Sequence, residues 1–160
     1  METEQFWPWL AGFLDGEGCF YIVNANRGSS NYAPKINVSL THKETLDMIQ
    51  SKIGGNIVEK KRSNPNWQPC WAWTLSGTNK VNNVLENIHP YLMTKAKQGW
   101  LMREFIAQRT NQSGAGKHMT DEEMALREGF RLAISGINGN QGKKQMKLNT
   151  EFRESAPSQP

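Results

Sequence analysis

The sequence predicts an α+β fold in which two hairpins form an antiparallel sheet and the helices cover one of its faces. Three observations carry this prediction. Residues 35–40 alternate strictly between polar and apolar side chains, which is typical of a half-buried strand. Segments 41–44 and 120–123 have the Thr-x-x-Glu pattern with which many helices begin. Along the chain, the predicted elements follow the order helix, two strands, helix, two strands and three helices.

The first half of the chain supplies one helix and one hairpin. An apolar helix is predicted over 7–16, and a strand over 19–25 alternates between two faces, with Phe20 and Ile22 on the core side. Residues 26–33 are polar and rich in turn formers, so they connect this strand to the next one at 35–40. That second strand turns three apolar side chains to the core: Ile36, Val38 and Leu40.

The middle of the chain repeats the pattern of one helix and one hairpin. The helix is predicted to begin with a capping box at Thr41 and to end at Gly54 and Gly55. Strands follow at 57–62 and 68–75. Trp71 and Trp73 occupy alternate positions of the second of these strands, which favours a core role, although stacking on nucleic-acid bases stays open.

Three helices complete the prediction. The first carries four apolar residues at helical spacing: Val81, Val84, Leu85 and Ile88. Pro90 interrupts the chain, and Thr94 is predicted to cap a helix that contains Leu101 and Phe105. The last helix follows the capping box at 120–123. A cation in the first turn of a helix is electrostatically unfavourable. The presence of Lys95 and Lys97 there therefore suggests a functional role, such as contact with a phosphate group.

Length and composition predict a soluble protein with a single domain. The chain has 160 residues, a net charge of +4 and a mean hydropathy of −0.68. We expect a single domain over 1–138 and a polar, basic tail over 139–160. The two cysteines lack zinc-ligand spacing, no apolar run is long enough for a membrane, and no signal peptide is evident, so we expect an intracellular protein.

The segment 9–18 contains candidate residues for close helix packing and for metal binding. Gly12 and Gly16 are four residues apart, so they share one helical face and allow another backbone to come close. Glu17 is a carboxylate at the negative end of the helix dipole, where a hard divalent cation would compensate the misfit. The plainer alternative is a glycine-capped helix followed by a solvated acid pair.

Residues 10–18, Leu-Ala-Gly-Phe-Leu-Asp-Gly-Glu-Gly, resemble the motif that names the LAGLIDADG homing endonucleases. Residues 92–95 resemble the second signature of that family, in which a lysine follows a leucine and a threonine. The predicted order of elements is similar to the αββαββα core of the family, with extra C-terminal helices. The likeness extends over roughly residues 7–137, and the motif occurs once, as in family members that act as homodimers.

For the active site, the resemblance implies that Glu17 and the Gly16 carbonyl bind Mg²⁺ in a dimer, while Ca²⁺ binds without supporting cleavage. Lys95 is expected to orient water or to stabilise charge on the phosphate. His42 is a further candidate near the water network, or merely an exposed side chain at a helix start. Asp15 is expected to be structural, because a residue two positions from Glu17 cannot share its helical face. The implied dimer contact involves Trp9, Gly12, Phe13 and Gly16.

For the substrate, the resemblance implies a sheet face that lies in the major groove of double-stranded DNA. Two copies of the sheet predict a near-palindromic site of roughly 15–25 base pairs. The candidate DNA-binding residues are Tyr21, Val23, Arg27, Lys35, Asn37, Ser39, Glu59, Lys61, Gln68, Ala72, Thr74 and Lys97.

The sequence is therefore interpreted as a site-specific, Mg²⁺-dependent double-strand DNA endonuclease. Three alternatives stay open, one of them a small, unrelated α+β protein whose likeness to the motif is due to chance. Another is an intron maturase that binds RNA on the same scaffold without needing the metal carboxylate. The third is a DNA-binding regulator on a nuclease fold that has lost its activity, for which loss of the acid at position 17 would be the mark.

Overall fold

The computed structural model describes residues 3–24, 31–61, 63–64, 66–111 and 119–139. Within these ranges the chain forms a four-stranded sheet and five α-helices, which confirms the predicted α+β class and element order. The elements are α1 (Thr3–Glu17), β1 (Gly18–Asn24), β2 (Tyr32–Leu40), α2 (Lys43–Ile53), β3 (Asn56–Lys60), β4 (Cys70–Ser76), α3 (Thr78–Ile88), a 3₁₀ turn (His89–Tyr91), α4 (Ala96–Asn111) and α5 (Asp121–Ile137).

The sheet has the strand order β1-β2-β4-β3, and each neighbouring pair is antiparallel. β2 and β4 are therefore central, and the two hairpins meet along them. Ile36 on β2 lies opposite Phe20 on β1 and Leu75 on β4, and all three side chains are fully buried. Because residues that pair directly across strands point to the same side, this row identifies the face that the helices cover.

Trp73 confirms the core interpretation of the tryptophan pair. Its side chain is fully buried, lies opposite Val38, and donates from Nε1 to the carbonyl oxygen of Gly54 at 2.9 Å. Trp71 shares this face and packs, partly buried, against the same core. Gly55, with φ of 103°, touches the Trp73 indole so closely that any Cβ there would clash with the ring.

The helix layer is built from the apolar stripes that the sequence predicted. The stripe of α3 is fully buried, as are Leu46 and Ile49 of α2 and Met102 and Phe105 of α4. On α1, the buried side chains include Leu10, Ala11 and Leu14.

Helix α5 packs beside the edge strand β1. Its end is fixed by Asn138, whose Nδ2 donates to the Phe20 carbonyl oxygen at 2.8 Å. Its middle is held by Glu128, whose Oε2 accepts from the Tyr32 hydroxyl at 3.0 Å. One unpaired edge of the sheet is thereby partly covered, which reduces the exposure of free strand groups.

Several predicted boundaries were wrong. α1 begins at Thr3 and continues through Gly16 to Glu17, β2 already begins at Tyr32, and β4 begins at Cys70 rather than at residue 68. The capping box at Thr41 does not form, because α2 begins at Lys43 and its cap residue His42 makes no side-chain cap bond. The capping box of Thr120 and Glu123 is confirmed, with bonds of 3.2 and 3.0 Å.

Two predictions fall outside the described residues, namely Arg27 and all of the predicted tail from residue 140 onwards. In the part of the chain that the structure covers, no helix combines the length and the apolar character needed to cross a membrane.

Candidate functional site

The end of α1 is tied to the segment before α4 by one carboxylate. Asp15 Oδ2 accepts from the main-chain N–H of Met93 at 2.7 Å, and Asp15 Oδ1 accepts from the N–H of Lys95 at 2.9 Å. The Thr94 hydroxyl donates to the Asp15 main-chain oxygen at 3.1 Å, so Thr94 is bonded to the end of α1. Helix α4, which Thr94 was expected to cap, begins only at Ala96. The two motifs found in the sequence are therefore parts of one structure, which we call the Asp15 clamp.

The charge state of Asp15 agrees with this role. Burial acts to raise the pKa of the Asp15 carboxyl, but the main-chain hydrogen bonds from Met93 and Lys95 and the contact with Thr94 outweigh it. The net result is a pKa below the usual range, so the clamp is ionised at neutral pH. Charge-assisted bonds of this kind are stronger than bonds between neutral groups.

The clamp also positions the Lys95 ammonium group. Lys95 Nζ donates to the main-chain carbonyl oxygen of Asp15, which places its charge at the C-terminal end of α1. That end of a helix is negative, so a cation there is favourable. The position of Lys95 next to the start of α4 looks unfavourable in the sequence. In the structure its ammonium group lies instead at the C-terminal end of α1, where a cation is favourable.

Glu17 is the last residue of α1 and is exposed. Among the described residues, its carboxylate makes no hydrogen bond or ion pair. The next residue, Gly18, is buried, and a Cβ at that position would lie 2.6 Å from the Leu14 carbonyl oxygen. Gly18 is therefore required for the helix to turn directly into β1.

Gly16 and Glu17 together present oxygen donors at the end of a helix, where the last carbonyl groups lack intrahelical partners. A carboxylate with main-chain carbonyls is the donor set that Mg²⁺ and Ca²⁺ prefer. The residues present thus fit a hard divalent cation. The described residues of the chain contain no group of three His, Cys, Asp or Glu side chains arranged as a metal site.

His42 lies at the same end of the sheet as Glu17, because Gly18 pairs with Val38 and His42 follows the end of β2. Its ring is exposed, with Nδ1 2.9 Å from the Thr45 hydroxyl and Nε2 3.6 Å from a Glu44 carboxylate oxygen. These are contacts within the first turn of α2. The structure brings His42 into the neighbourhood of the α1 end and shows no contact between the two.

The sheet face opposite the helices is formed by alternate residues of all four strands. Among them, Asn37 is held in place, since its Nδ2 donates to the Trp73 carbonyl oxygen and to the Thr74 hydroxyl, both at 2.9 Å. Burial, and more weakly the neighbouring Cys19, raises the pKa of the Tyr21 phenol, which keeps its hydroxyl protonated. Of the candidate residues, the pairing register places on this open face Tyr21, Val23, Lys35, Asn37, Ser39, Ala72 and Thr74.

The expected position of Glu59 on the open face was wrong. Glu59 pairs with Trp71, whose side chain belongs to the core side, so Glu59 points to the helix side at the sheet edge. Two further candidates lie outside the strands: Lys61 follows the end of β3, and Gln68 precedes β4. Lys97 is exposed on α4, in the helix layer.

Sequence reasoning missed the three residues of β3 that do lie on the open face: Asn56, Val58 and Lys60. Ile57 and Val58 are both β-branched, so local alternation does not decide which of them faces the core. The usable signal was the partner strand, because its tryptophans had already been assigned to the core. An antiparallel pairing with β4 then determines the face of every residue in β3.

The predicted dimer residues lie on one side of α1, where Trp9 and Phe13 are partly buried against the core. Gly12 and Gly16 are exposed, and a Cβ on either would meet no atom within 4 Å. Trp9 and Phe13 stack on each other with ring centroids 5.2 Å apart and an interplanar angle of 9°. The glycines therefore form an open strip on a helix whose opposite side is packed in the core.

Comparison with known proteins gives one family. The family model for LAGLIDADG endonucleases matches residues 10–102, which include residues 10–17 of α1, the whole sheet and Lys95. DNA endonuclease I-CvuI of Chlorella vulgaris is 28% identical over 153 residues, covering 91% of this chain and 86% of that protein.

Solved structures show the same fold. An archaeal intron-encoded homing endonuclease, I-Vdi141I, complexed with DNA, superposes with a TM-score of 0.68 at 20% identity, covering 85% of this chain and 86% of its own. I-CvuI in complex with its target in the presence of Ca gives a TM-score of 0.55 at 21% identity, covering 84% of this chain and 96% of its own.

Proposed function

Because the chain belongs to the LAGLIDADG endonuclease family, we propose that it is a homodimeric, divalent-metal-dependent endonuclease that cuts both strands of a long DNA site. The Asp15 clamp is the observation that carries this proposal. It holds a lysine ammonium group at the end of α1 that also presents the Glu17 carboxylate, which has no bonding partner among the described residues. An acid and a cation kept together at an exposed helix end suit phosphodiester hydrolysis better than a purely structural contact.

The open glycine strip supports the dimer. Two copies of α1 can pack through Gly12 and Gly16 at a short helix–helix distance, because no atom of the described residues occupies that space. A two-fold interface is self-complementary, so one such strip is sufficient for both partners. The pairing would bring two Glu17 carboxylates near the axis, and their mutual repulsion would make cation binding favourable.

Glu17, with the Gly16 carbonyl as a backbone ligand, would hold the metal ion in this arrangement. When bound, a divalent cation supplies Lewis-acid chemistry at the scissile phosphate and at water. Lys95 contributes a positive charge at the same helix end, where it can donate to a phosphate oxygen as negative charge develops. Asp15 acts by positioning, since it holds the main chain from which the Lys95 side chain extends.

The open sheet face supports the DNA substrate. It offers the cations Lys35 and Lys60, the fixed amide of Asn37 and several hydroxyl groups, while the one acid once expected there, Glu59, points away. Nine residues of β2 span about 30 Å, which corresponds to about nine base pairs. Two protomers around a central gap then give a near-palindromic site of roughly 15–25 base pairs.

The test is a cleavage selection on a randomised duplex library in Mg²⁺, repeated with Ca²⁺, followed by the Glu17→Gln variant on the selected site. Removing even an indirect partner of a metal costs about 10- to 100-fold, so losing the carboxylate itself should slow cutting more than about 100-fold while DNA binding persists. Glu86→Gln, an exposed acid on α3, is the matched control and should cut normally. A Glu17→Gln protein that cuts at the wild-type rate contradicts the metal assignment.

A further inference from the structure

Val58 is an exposed aliphatic side chain on the open face, at the edge of the sheet. It lies on β3, and about 50% of its surface is accessible. Its direct partner across the strand pair is Ala72, and Ala72 pairs in turn with Ser39. These three residues form a short row across three strands of the open face, which we call the Val58 row.

The Val58 row lies between two polar rows. On one side, Asn37, Thr74 and Asn56 pair across the same three strands. On the other side, Lys60 pairs with Cys70. Ala72 is a small side chain that is only 5% exposed, whereas Val58 beside it is half exposed. An apolar pair of this size, flanked by hydrogen-bonding groups, can contact a methyl group.

We propose that Val58 and Ala72 recognise the C5-methyl group of one thymine in each half of the DNA site. This inference rests on the proposed function, because it requires the open face to lie in the major groove. There, thymine is the standard base that offers a methyl group to an apolar contact, whereas the other base edges offer donors and acceptors. Burying Val58 against that methyl group also removes an exposed apolar side chain from water.

The register of the sheet gives the position of this thymine in the half-site. Successive rows on one face are two residues apart, or about 6.7 Å, which is close to two base pairs. The Lys60 row lies at the strand ends nearest the α1 terminus, and the Val58 row is next to it. Lys35 lies four residues from Ser39 on β2. The thymine should thus lie about four base pairs closer to the cleavage centre than the base that faces Lys35.

The experiment removes single methyl groups from the DNA. Once the target is selected, each thymine is replaced in turn by deoxyuridine, and Kd is measured in Ca²⁺ for the wild-type protein and for Val58→Ala. Wild-type binding should weaken about fourfold at one thymine in the inner part of each half-site, the effect of losing about one buried methyl group. Val58→Ala should bind the two duplexes with equal affinity at that position.

Two further variants keep the result interpretable. Glu59→Gln changes the neighbouring residue on the same strand, whose side chain points to the helix side, and should leave the deoxyuridine profile unchanged. Val58→Asn should move the preferred base at that position from thymine towards adenine, since an amide pairs with the adenine edge. Because only a folded protein can bind with an altered base preference, this result also excludes misfolding of the variant.

The outcomes separate this inference from the proposed function. A protein that binds and cuts a selected duplex, but whose deoxyuridine profile is the same in Val58→Ala as in the wild type, overturns the inference alone. A selected site without thymine in the inner half-site has the same meaning. Failure of the wild-type protein to bind any duplex overturns both.

Discussion

At the scale of single residues, Asp15 determines how the candidate site is arranged. Its carboxylate accepts hydrogen bonds from two main-chain N–H groups. Its main-chain carbonyl oxygen accepts hydrogen bonds from the side chains of Thr94 and Lys95. The chain between positions 93 and 95 is thereby attached to α1 by two hydrogen bonds from its main chain and two from the side chains of Thr94 and Lys95. Glu17, two residues later, makes no hydrogen bond or ion pair with the described residues.

Asp15→Asn should reduce both stability and cleavage. The amide offers one acceptor and sets an NH₂ group against the second main-chain N–H, so a charge-assisted bond is replaced by two facing donors. We expect the free energy of unfolding to fall by about 1–3 kcal/mol in denaturant titrations. The cleavage rate should fall more than DNA affinity does, because Lys95 loses its position.

The pH dependence of this stability difference provides a second readout. The pKa of Asp15 is lowered below its ordinary value of 3.8, so the clamp should stabilise the fold in full above that value. The contribution should disappear as the pH falls through the lower folded-state pKa. Asp47→Asn, which removes a surface ion pair with Lys43, is the control and should cost at most about 1 kcal/mol. A wild-type advantage over Asp15→Asn that persists unchanged at the lowest pH would contradict the clamp.

At the scale of elements, α1 has two different sides. One is buried in the protomer through Leu10, Ala11 and Leu14, and the other exposes Gly12 and Gly16. Glycine lowers helix stability by up to about 1 kcal/mol relative to alanine. A helix that keeps two glycines where the protomer leaves ample space for a Cβ is better explained by a close partner than by packing within the chain.

Gly12→Ala tests this partner directly. Within one chain, the new methyl group meets none of the described residues within 4 Å, so the variant should be as stable as the wild type or up to about 1 kcal/mol more stable. In a dimer, the same methyl group would separate the two helices. Sedimentation equilibrium should therefore show a weaker dimer without any loss of folding.

Gly129→Ala is the matched control for this experiment. Gly129 is also an exposed helical glycine with no atom within 4 Å of a Cβ, but it lies on α5. Its replacement should give the same gain in helix stability with unchanged self-association. If Gly12→Ala dimerises as tightly as Gly129→Ala, then α1 is not the dimer contact.

At the scale of the whole molecule, the two sides of the sheet differ in composition. One side is filled by helices around Trp73, and the other presents cations, amides and hydroxyl groups without the acid that the sequence had suggested. The net charge of +4 is modest, so the distribution of charge matters more than its sum. Lys35 and Lys60 lie on the open face, whereas Lys52 lies on α2.

Salt dependence measures which of these cations contacts DNA. The logarithm of the binding constant should fall linearly with the logarithm of salt concentration. Lys60→Gln should reduce the magnitude of that slope by about two, one unit from each protomer. Lys52→Gln carries the same loss of charge in the helix layer and should leave the slope unchanged. Equal slopes for the two variants would argue against the open face as the DNA surface.

The sequence by itself determined the order of elements, the apolar stripes, the confirmed capping box and the family. These properties depend on local patterns, because periodicity and caps are decided within a few residues of chain. Trp73 could be assigned to the core in this way, and so could the stripe of α3. The capping box at Thr41 failed because its pattern also fits a chain in which His42 occupies the cap position.

Only the tertiary structure decided which face β3 presents and how the two motifs are joined. Val58 and Glu59 exchange sides with a one-residue shift of pairing, and that register depends on β4, which lies further along the chain. Similarly, the bonds from Asp15 to Met93 and Lys95 connect segments that are remote in sequence. Such contacts form only when packing of the core brings the segments together, so no local pattern in the chain encodes them.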